Sequence, residues 1–198
     1  KYPFLVLDGG LATELEKMGF SLDDHLWSAK LLSENPGAIR DVHISYLEAG
    51  ADCIITSSYQ ATIEGFSKKG LSPSEARNLI KLSVVLAREA VELSGKSIEA
   101  TQRPYPLIAG SAGCYGSYLA NGAEYRGDYH LSEKEYLAFH RERVELLVEG
   151  GADLIAFETI PSAEEAYALI TLMNEYPGVP YWIVFSIRDE EHISNGDS

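Results

Sequence analysis

The sequence contains few cysteines, no long apolar run and no excess of positive charge. Its two cysteines, Cys53 and Cys114, form neither a disulfide framework nor a C-x-x-C metal motif. No apolar run reaches the roughly 18 residues that a membrane-spanning helix needs, and we recognise no signal peptide before the first apolar run. The formal net charge of −14 argues against nucleic acid and anionic membranes as partners. These absences favour an intracellular, cytoplasmic protein.

The common nucleotide and hydrolase motifs are also missing. The glycine pair in "GGLATE" does not fit G-x-G-x-x-G, and no P-loop Gly-Lys-Ser/Thr occurs, which argues against nucleotide cofactors. None of the five histidines has H-x-x-x-H spacing, and no nucleophile-elbow pattern is present. We therefore assign no residue of this chain to a metal.

Five short apolar runs alternate with stretches that carry helix start and stop signals. Continuous runs of this length are typical of strands buried on both faces of a parallel sheet. The runs are residues 4–7, 53–55, 107–109, 154–157 and 182–185. The helix signals are Asn35-Pro36 with Gly50 after the helix, and three capping boxes: Ser72 with Glu75, Ser132 with Glu135, and Ser162 with Glu165.

The alternation of strands and helices predicts an α/β fold with a parallel sheet, in a single domain. A faint internal repeat agrees with this prediction, because "EAGADCIITSS" at 48–58 resembles "EGGADLIAFET" at 149–159. Two closures fit the pattern: a doubly wound open sheet and a (β/α)8 barrel. Five strands would complete a small open sheet but only part of a barrel.

Polar or small residues follow each apolar run, and these predict a ligand site. In parallel α/β folds the carboxyl ends of the strands meet at one face, so Asp8 and Glu158 are expected to face one pocket. Hydroxyl side chains would lie beside them, and two glycines would let backbone N–H groups approach a ligand. Two carboxylates and free N–H donors suit a zwitterion, so the pattern predicts an amino-acid site. The hydroxyl and glycine residues are Thr56, Ser57, Ser111, Gly9 and Gly10.

Several of these residues also allow a purely structural interpretation. Asp8 would serve equally well as a helix cap, and the glycines as turn residues. Trp27 is either a pocket wall or a core anchor. The Tyr-rich segment 110–130 is either an ordered flap or a lid that faces a cationic group through its aromatic rings. Its four tyrosines are Tyr115, Tyr118, Tyr125 and Tyr129.

A set of segments spanning nearly the whole chain resembles the homocysteine S-methyltransferase family. The two that indicate its S-methylmethionine or S-adenosylmethionine branch are "SYQAT" and "EYRGDY". The resemblance implies a (β/α)8 TIM barrel, of which 1–198 would be the N-terminal part with about the first five β/α units. The other matching segments are "LDGGLATELE", "LWSAK", "NPGAIRDVHISYLEAGAD", "GSAGCYG", "GADLIAFETIP" and "RDEEHIS".

The resemblance implies that a methyl group moves from S-methylmethionine, or S-adenosylmethionine, to the homocysteine thiolate to give methionine. It further implies a zinc ion held by three cysteines, which are expected C-terminal to this chain, since neither Cys53 nor Cys114 matches a ligand position. The substrate-binding residues that it implies are Asp8, Gly9 and Gly10 at homocysteine, Thr56 and Ser57 at its amino-acid moiety, Glu158 at its ammonium group, and Trp27 on the donor side.

Two other functions stay open at this point. One is a non-catalytic amino-acid-binding barrel fragment that lacks the zinc site. The other is a different barrel enzyme that acts on a small zwitterion by carboxylate acid–base chemistry. Small molecules are the expected partners in each case, and the sequence indicates no oligomeric state.

Overall fold

Four parallel strands form the sheet in the computed structural model, which describes residues 4–21, 27–100 and 103–198. The strands are β1 (Cys53–Ile55), β2 (Leu107–Gly113), β3 (Leu154–Ile160) and β4 (Tyr181–Phe185). Their order in the sheet is β1-β2-β3-β4, and every neighbouring pair is parallel. This order follows the chain without the reversal that marks a doubly wound sheet. The predicted parallel α/β fold is confirmed.

Helices connect the strands and cover the sheet. Before β1 come α1 (Leu11–Lys17), α2 (Trp27–Glu34) and α3 (Pro36–Ala49). Between β1 and β2 lie α4 (Ile63–Lys68), α5 (Pro73–Leu93) and α6 (Gly95–Ala100), and between β2 and β3 lie α7 (Tyr115–Leu119) and α8 (Glu133–Glu149). Helix α9 (Ala163–Met173) precedes β4. None of these described helices combines the length and apolar character that a membrane crossing requires.

The predicted helix signals are confirmed with one difference. Gly50 ends α3 with φ of +110°, and Ser72 and Ser132 begin α5 and α8 in capping boxes closed in both directions. At α9 only half of the box forms, because Ser162 accepts from the backbone N–H of Glu165 while the Glu165 side chain turns into the core. The Glu165 carboxylate contacts His140 and the Tyr129 hydroxyl and so does not form the second hydrogen bond of the box.

The prediction of a strand at residues 4–7 is wrong. The segment runs beside β1 but forms only one parallel bridge, between Leu7 and Cys53. Its four side chains are between 40% and 70% exposed, so the expectation of burial on both faces fails as well. Val184 and Phe185 of β4 are also exposed. Both segments lie at the edges of the described sheet, where no strand covers them on one side.

The internal repeat has a physical meaning in the sheet. In each copy an aspartate precedes a strand and hydrogen-bonds to the neighbouring segment. Asp52 donates its N–H to the Val6 carbonyl, and its carboxylate accepts the Val6 N–H at 3.0 Å. Asp153 does the same with the N–H and carbonyl groups of Ile108. The repeated Ala-Asp pair therefore fixes the register of each strand against its neighbour.

Candidate functional site

A cavity of about 430 Å³ opens at the carboxyl ends of the strands. Six of the seven predicted substrate-binding residues line it: Asp8, Gly9, Gly10, Thr56, Ser57 and Glu158. The seventh, Trp27, begins α2, and its side chain lies outside the part of the chain that the structure describes. The remaining lining residues are Leu11, Ala12, Ile55, Tyr59, Ser111, Tyr125 and Thr159.

Asp8 follows the edge segment and is held by β1. Its backbone N–H donates to the Cys53 carbonyl at 3.0 Å, and its Oδ2 accepts the Ile55 N–H at 2.9 Å. Its other oxygen, Oδ1, is buried without a hydrogen-bond partner among the described residues. Burial raises the pKa of Asp8 to about 7, and the negative charge of Glu158 adds to the increase. A cation bound in the cavity would lower the pKa of Asp8 and so oppose both effects.

Glu158 enters the cavity from β3 and is oriented by one hydrogen bond. The Ser111 hydroxyl of β2 donates to its Oε2. Burial raises the pKa of Glu158, and the hydrogen bond from Ser111 opposes the increase. Asp8 and Glu158 therefore form a pair of partly desolvated carboxyl groups, and their environment favours binding of a cation over two unpaired negative charges.

A β-bulge places Glu158 at the cavity. Phe157 pairs with Ile183 and Ile160 pairs with Phe185, so Glu158 and Thr159 together oppose a single residue of β4. Thr159 has φ of +60°, in the left-handed region that β-branched residues rarely adopt. Such strained backbone persists where the surrounding structure holds it, and it is concentrated at functional sites.

The hydroxyl groups between β1 and β2 have different roles. Thr56 Oγ1 accepts the Ser111 N–H at 2.9 Å, and Ser58 Oγ donates to the Ser111 carbonyl at 2.7 Å. Since the Ser58 proton is used there, Thr56 is the donor in the 2.7 Å contact between Thr56 and Ser58. The Thr56 hydroxyl is therefore fully engaged within the protein. Ser57 Oγ, by contrast, is buried without a partner among the described residues and remains available to a ligand.

Gly9 and Gly10 allow the chain to pass close to the α3 helix. A Cβ at Gly9 would lie 2.7 Å from the Tyr46 hydroxyl oxygen, so a larger residue would displace that ring. The same hydroxyl donates to the Gly10 carbonyl at 3.2 Å. Neither glycine N–H donates to an acceptor within the described ranges. Both groups are thus free to meet an anionic part of a ligand.

The Tyr-rich segment is ordered, and only one of its four tyrosines lines the cavity. Tyr125, which is 68% exposed, contributes to the cavity wall. Tyr115, Tyr118 and Tyr129 instead pack around Phe139 and one another, with the Tyr115 and Phe139 ring centroids 5.0 Å apart. Of the two interpretations of this segment, the ordered one fits these three tyrosines, because their rings complete an aromatic cluster with helix α8.

The described residues do not fit a zinc ion. Cys53 and Cys114 are free and buried, and burial raises the pKa of each thiol to about 12, which disfavours the thiolate that zinc requires. Within residues 4–21, 27–100 and 103–198, no group of three His, Cys, Asp or Glu side chains is arranged to hold a metal.

Sequence reasoning missed two polar lining residues, Tyr59 and Thr159. Each lies within two residues of a predicted site residue, Ser57 and Glu158 respectively. Extending each strand-end motif by two positions would have included both. The bulge that turns Thr159 inward has no marker in the sequence.

A family model described as homocysteine S-methyltransferase matches residues 5–198 of the chain. The chain is 54% identical over 196 residues to homocysteine S-methyltransferase YbgG of Bacillus subtilis (strain 168), covering 98% of this chain and 62% of that protein. It is 52% identical over 196 residues to homocysteine S-methyltransferase of Escherichia coli (strain K12), covering 99% of this chain and 63% of that protein. The chain thus spans about three fifths of the length of these curated relatives.

The fold is also similar to solved structures. The crystal structure of the homocysteine methyltransferase MmuM from Escherichia coli in its metallated form matches with a TM-score of 0.94 and 52% identity. That match covers 100% of this chain and 68% of the MmuM chain. The apo form of MmuM matches with a TM-score of 0.80 and 43% identity.

Proposed function

This chain belongs to the homocysteine S-methyltransferase family, and from that premise we propose that its cavity binds the amino-acid part of homocysteine. The observation that carries the proposal is the pair of partly buried carboxyl groups, Asp8 and Glu158, in one cavity. An α-ammonium group placed between them would pair with both carboxylates. It would also supply a donor for the buried, unpartnered Oδ1 of Asp8.

The rest of the cavity suits the α-carboxylate of the same ligand. The free N–H groups of Gly9 and Gly10 and the unpartnered hydroxyl of Ser57 are donors that an anion would use. Thr56 would act indirectly, by holding Ser111, whose hydroxyl in turn orients Glu158. With both charged ends held, the sulfur-bearing end of homocysteine would have a fixed position.

For the whole protein we propose methyl transfer from S-methylmethionine, or S-adenosylmethionine, to the thiolate of homocysteine, whose thiol proton has left before the transfer. The transfer breaks a methyl–sulfur bond of the cationic donor and forms the corresponding bond in methionine. The residues described here would bind and orient homocysteine; we assign them no proton transfer. Trp27 and Tyr125 are the aromatic residues that we place on the donor side, where a ring face would attract the sulfonium.

We also propose that the sheet closes as a (β/α)8 barrel in the whole protein. Residues 1–198 would belong to a single domain and form the N-terminal part of that barrel. The chain-ordered parallel strands support this, as does the similarity to the MmuM structures. Zinc, if the full protein uses it to bind the homocysteine thiol, would need cysteines outside the described residues. A C-terminal position for those cysteines and a cytoplasmic location both stay predictions.

A second candidate is a non-catalytic amino-acid-binding fragment. It is favoured by one observation, that the described residues contain the carboxylate pair but no group of metal ligands. In that case the chain would bind homocysteine without turnover.

Calorimetry and an activity assay would test the two candidates. We expect this chain to bind homocysteine and to bind 4-mercaptobutyrate, which lacks the ammonium group, much more weakly. We expect the full-length protein to form methionine from homocysteine and S-methylmethionine, and a chelator to stop it. Equal affinity for both thiols would contradict the ammonium site. Binding by the full-length protein without any turnover would favour the second candidate.

A further inference from the structure

Three buried polar side chains form a continuous chain beneath the cavity. Arg143 and His140 lie on α8, and Glu165 lies on α9. Each is at most 2% exposed, and none of them lines the cavity. Arg143 Nη2 lies 2.7 Å from His140 Nδ1, and His140 Nε2 lies 2.8 Å from Glu165 Oε1. Sequence reasoning gave these residues no role beyond the helix cap expected of Glu165.

The hydrogen bonds fix the protonation of His140. Arginine only donates, so His140 Nδ1 accepts from Arg143 and carries no proton. His140 Nε2 must then carry the proton that it donates to Glu165. Burial also lowers the pKa of His140, which agrees with a neutral ring. The chain therefore has a cation at one end, an anion at the other and a neutral imidazole between them.

The cationic end holds the part of the cavity wall that contains Tyr59. Arg143 donates to the Gly113 carbonyl at 2.5 Å and to the Tyr59 carbonyl at 3.4 Å. The Gly113 N–H also donates to the Tyr59 carbonyl, at 3.0 Å. A Cβ at Gly113 would lie 2.7 Å from the Tyr59 carbonyl oxygen, so the two segments are in close contact. Arg143 thus contacts the carbonyl groups of both segments at the point where they meet.

The anionic end holds the segment that contains Tyr125. Glu165 Oε1 accepts the Tyr115 N–H at 2.7 Å, and its Oε2 accepts the Tyr129 hydroxyl at 2.7 Å. These two contacts lie on either side of Tyr125 in the chain. The same buried group therefore fixes both ends of the segment that supplies this wall residue.

We propose that Arg143, His140 and Glu165 are positioning residues that set the cavity wall at Tyr59 and Tyr125 from the helix side of the sheet. A buried chain of charged groups costs desolvation energy that apolar residues would avoid, so stability alone explains it poorly. Its ends instead contact the two segments that supply these wall residues. The choice of homocysteine as the probe rests on the proposed function.

A double-substitution experiment on the full-length protein tests the proposal. Arg143→Lys keeps the positive charge but loses the planar guanidinium group that donates several hydrogen bonds at once. We expect this variant to bind homocysteine about tenfold more weakly, as measured by calorimetry. Arg141→Lys is the matched control, because Arg141 lies on the same helix but is exposed and paired with Glu175. Its affinity should equal that of the wild type.

The decisive measurement repeats Arg143→Lys in a Tyr59→Leu background. If Arg143 acts by placing the Tyr59 ring, the second substitution should cost little further affinity once the ring is gone. If Arg143→Lys lowers homocysteine affinity by the same factor in both backgrounds, the proposal is overturned. A general loss of stability would act equally in each background. Glu165→Gln, which keeps the side-chain volume, is to be tested in the same way in a Tyr125→Leu background. The probe there is S-methylmethionine, because we place Tyr125 on the donor side. This pair of variants also decides the matter if Arg143→Lys does not fold.

Amide hydrogen exchange gives a readout that needs no ligand. We expect the Gly113 N–H, which donates to the Tyr59 carbonyl, to exchange about tenfold faster in Arg143→Lys and unchanged in Arg141→Lys. Unchanged exchange in both variants would refute the link between Arg143 and Tyr59. If the wild type fails to bind homocysteine, the proposed function is wrong, and the exchange rates still decide whether Arg143 holds this segment.

Discussion

Asp8 lies beside β1 and Glu158 lies on β3, yet they face one cavity, and the charge of Glu158 raises the pKa of Asp8. Asp8 is anchored by the Ile55 N–H, and Glu158 is oriented by the Ser111 hydroxyl. Each carboxyl group is therefore oriented by a hydrogen bond, and its partial burial favours a positively charged partner. This pair and the buried groups around the sheet lead to five predictions.

Glu158→Gln should weaken homocysteine binding by roughly 2 kcal/mol, or about 30-fold in Kd, because it removes one charge from a desolvated ammonium site. Calorimetry on the variant and the wild type measures the change. Glu164→Gln is the control, since that exposed glutamate lies on α9 outside the cavity and should leave Kd unchanged. An unaltered Kd in Glu158→Gln would remove Glu158 from the site.

Asp8 should make homocysteine binding depend on pH near neutrality. With a pKa of about 7, Asp8 is largely neutral at pH 6 and charged at pH 8, so affinity should rise across this range. Asp8→Asn keeps an acceptor for the Ile55 N–H but cannot ionise, and its affinity should be lower at pH 8 and nearly flat with pH. A wild-type profile that matches the variant would contradict this role.

The same substitution should stabilise the unliganded protein. The folded pKa of Asp8 is raised above its unfolded value of 3.8, so its contribution to stability is present below pH 3.8 and is lost as pH rises to about 7. Asp8→Asn removes that loss. The melting temperature of Asp8→Asn should therefore exceed that of the wild type at pH 8. The difference between the two proteins should be larger at pH 8 than at pH 5. A lower melting temperature at pH 8 would indicate that the Asp8 charge has an unseen partner.

His43 should make the fold sensitive to acid. It is fully buried on α3, both ring nitrogens lack hydrogen-bond partners among the described residues, and burial lowers its pKa from 6.5 to about 4. The folded state resists protonation, so stability on the order of 3 kcal/mol is present above pH 6.5 and is lost as pH falls to 4.

His43→Leu should remove most of this acid-dependent loss, as measured by urea unfolding between pH 7 and pH 4. His130→Gln is the control, because His130 is exposed beside Glu164. If wild type and His43→Leu lose the same stability over this range, the buried ring is not the source of the acid sensitivity.

Two glutamates in identical sequence motifs should differ in their effect on stability. Glu165→Ala should cost about 3 kcal/mol or more, because it leaves His140, Arg143 and the Tyr129 hydroxyl without their buried anion. Glu135→Ala, in the closed box at α8, removes only an exposed cap and should cost much less. Equal shifts in the urea midpoint would show that the buried contacts of Glu165 contribute little.

The contrast between these glutamates shows how far the sequence predicts this structure. Periodicity and capping residues predict the helices, and the rule that parallel strands share a carboxyl-terminal face brings Asp8 and Glu158 together. These signals are local or topological. The sequence does not show that the Glu165 side chain hydrogen-bonds to His140 and leaves the capping box at Ser162 half formed. Nor does it show that residues 4–7 stay exposed. Both features depend on which tertiary neighbours are present. Trp27 stays an untested prediction.

The bulge at Glu158 and Thr159 limits how this protein can be engineered. Designs that raise thermal stability usually replace residues in strained conformations or restore regular strand pairing. Deleting Thr159 would regularise β3 against β4, but it would also remove the bulge that directs Glu158 to the cavity. A more stable sheet obtained in this way would have misplaced the carboxyl group that we propose binds the ammonium of the ligand.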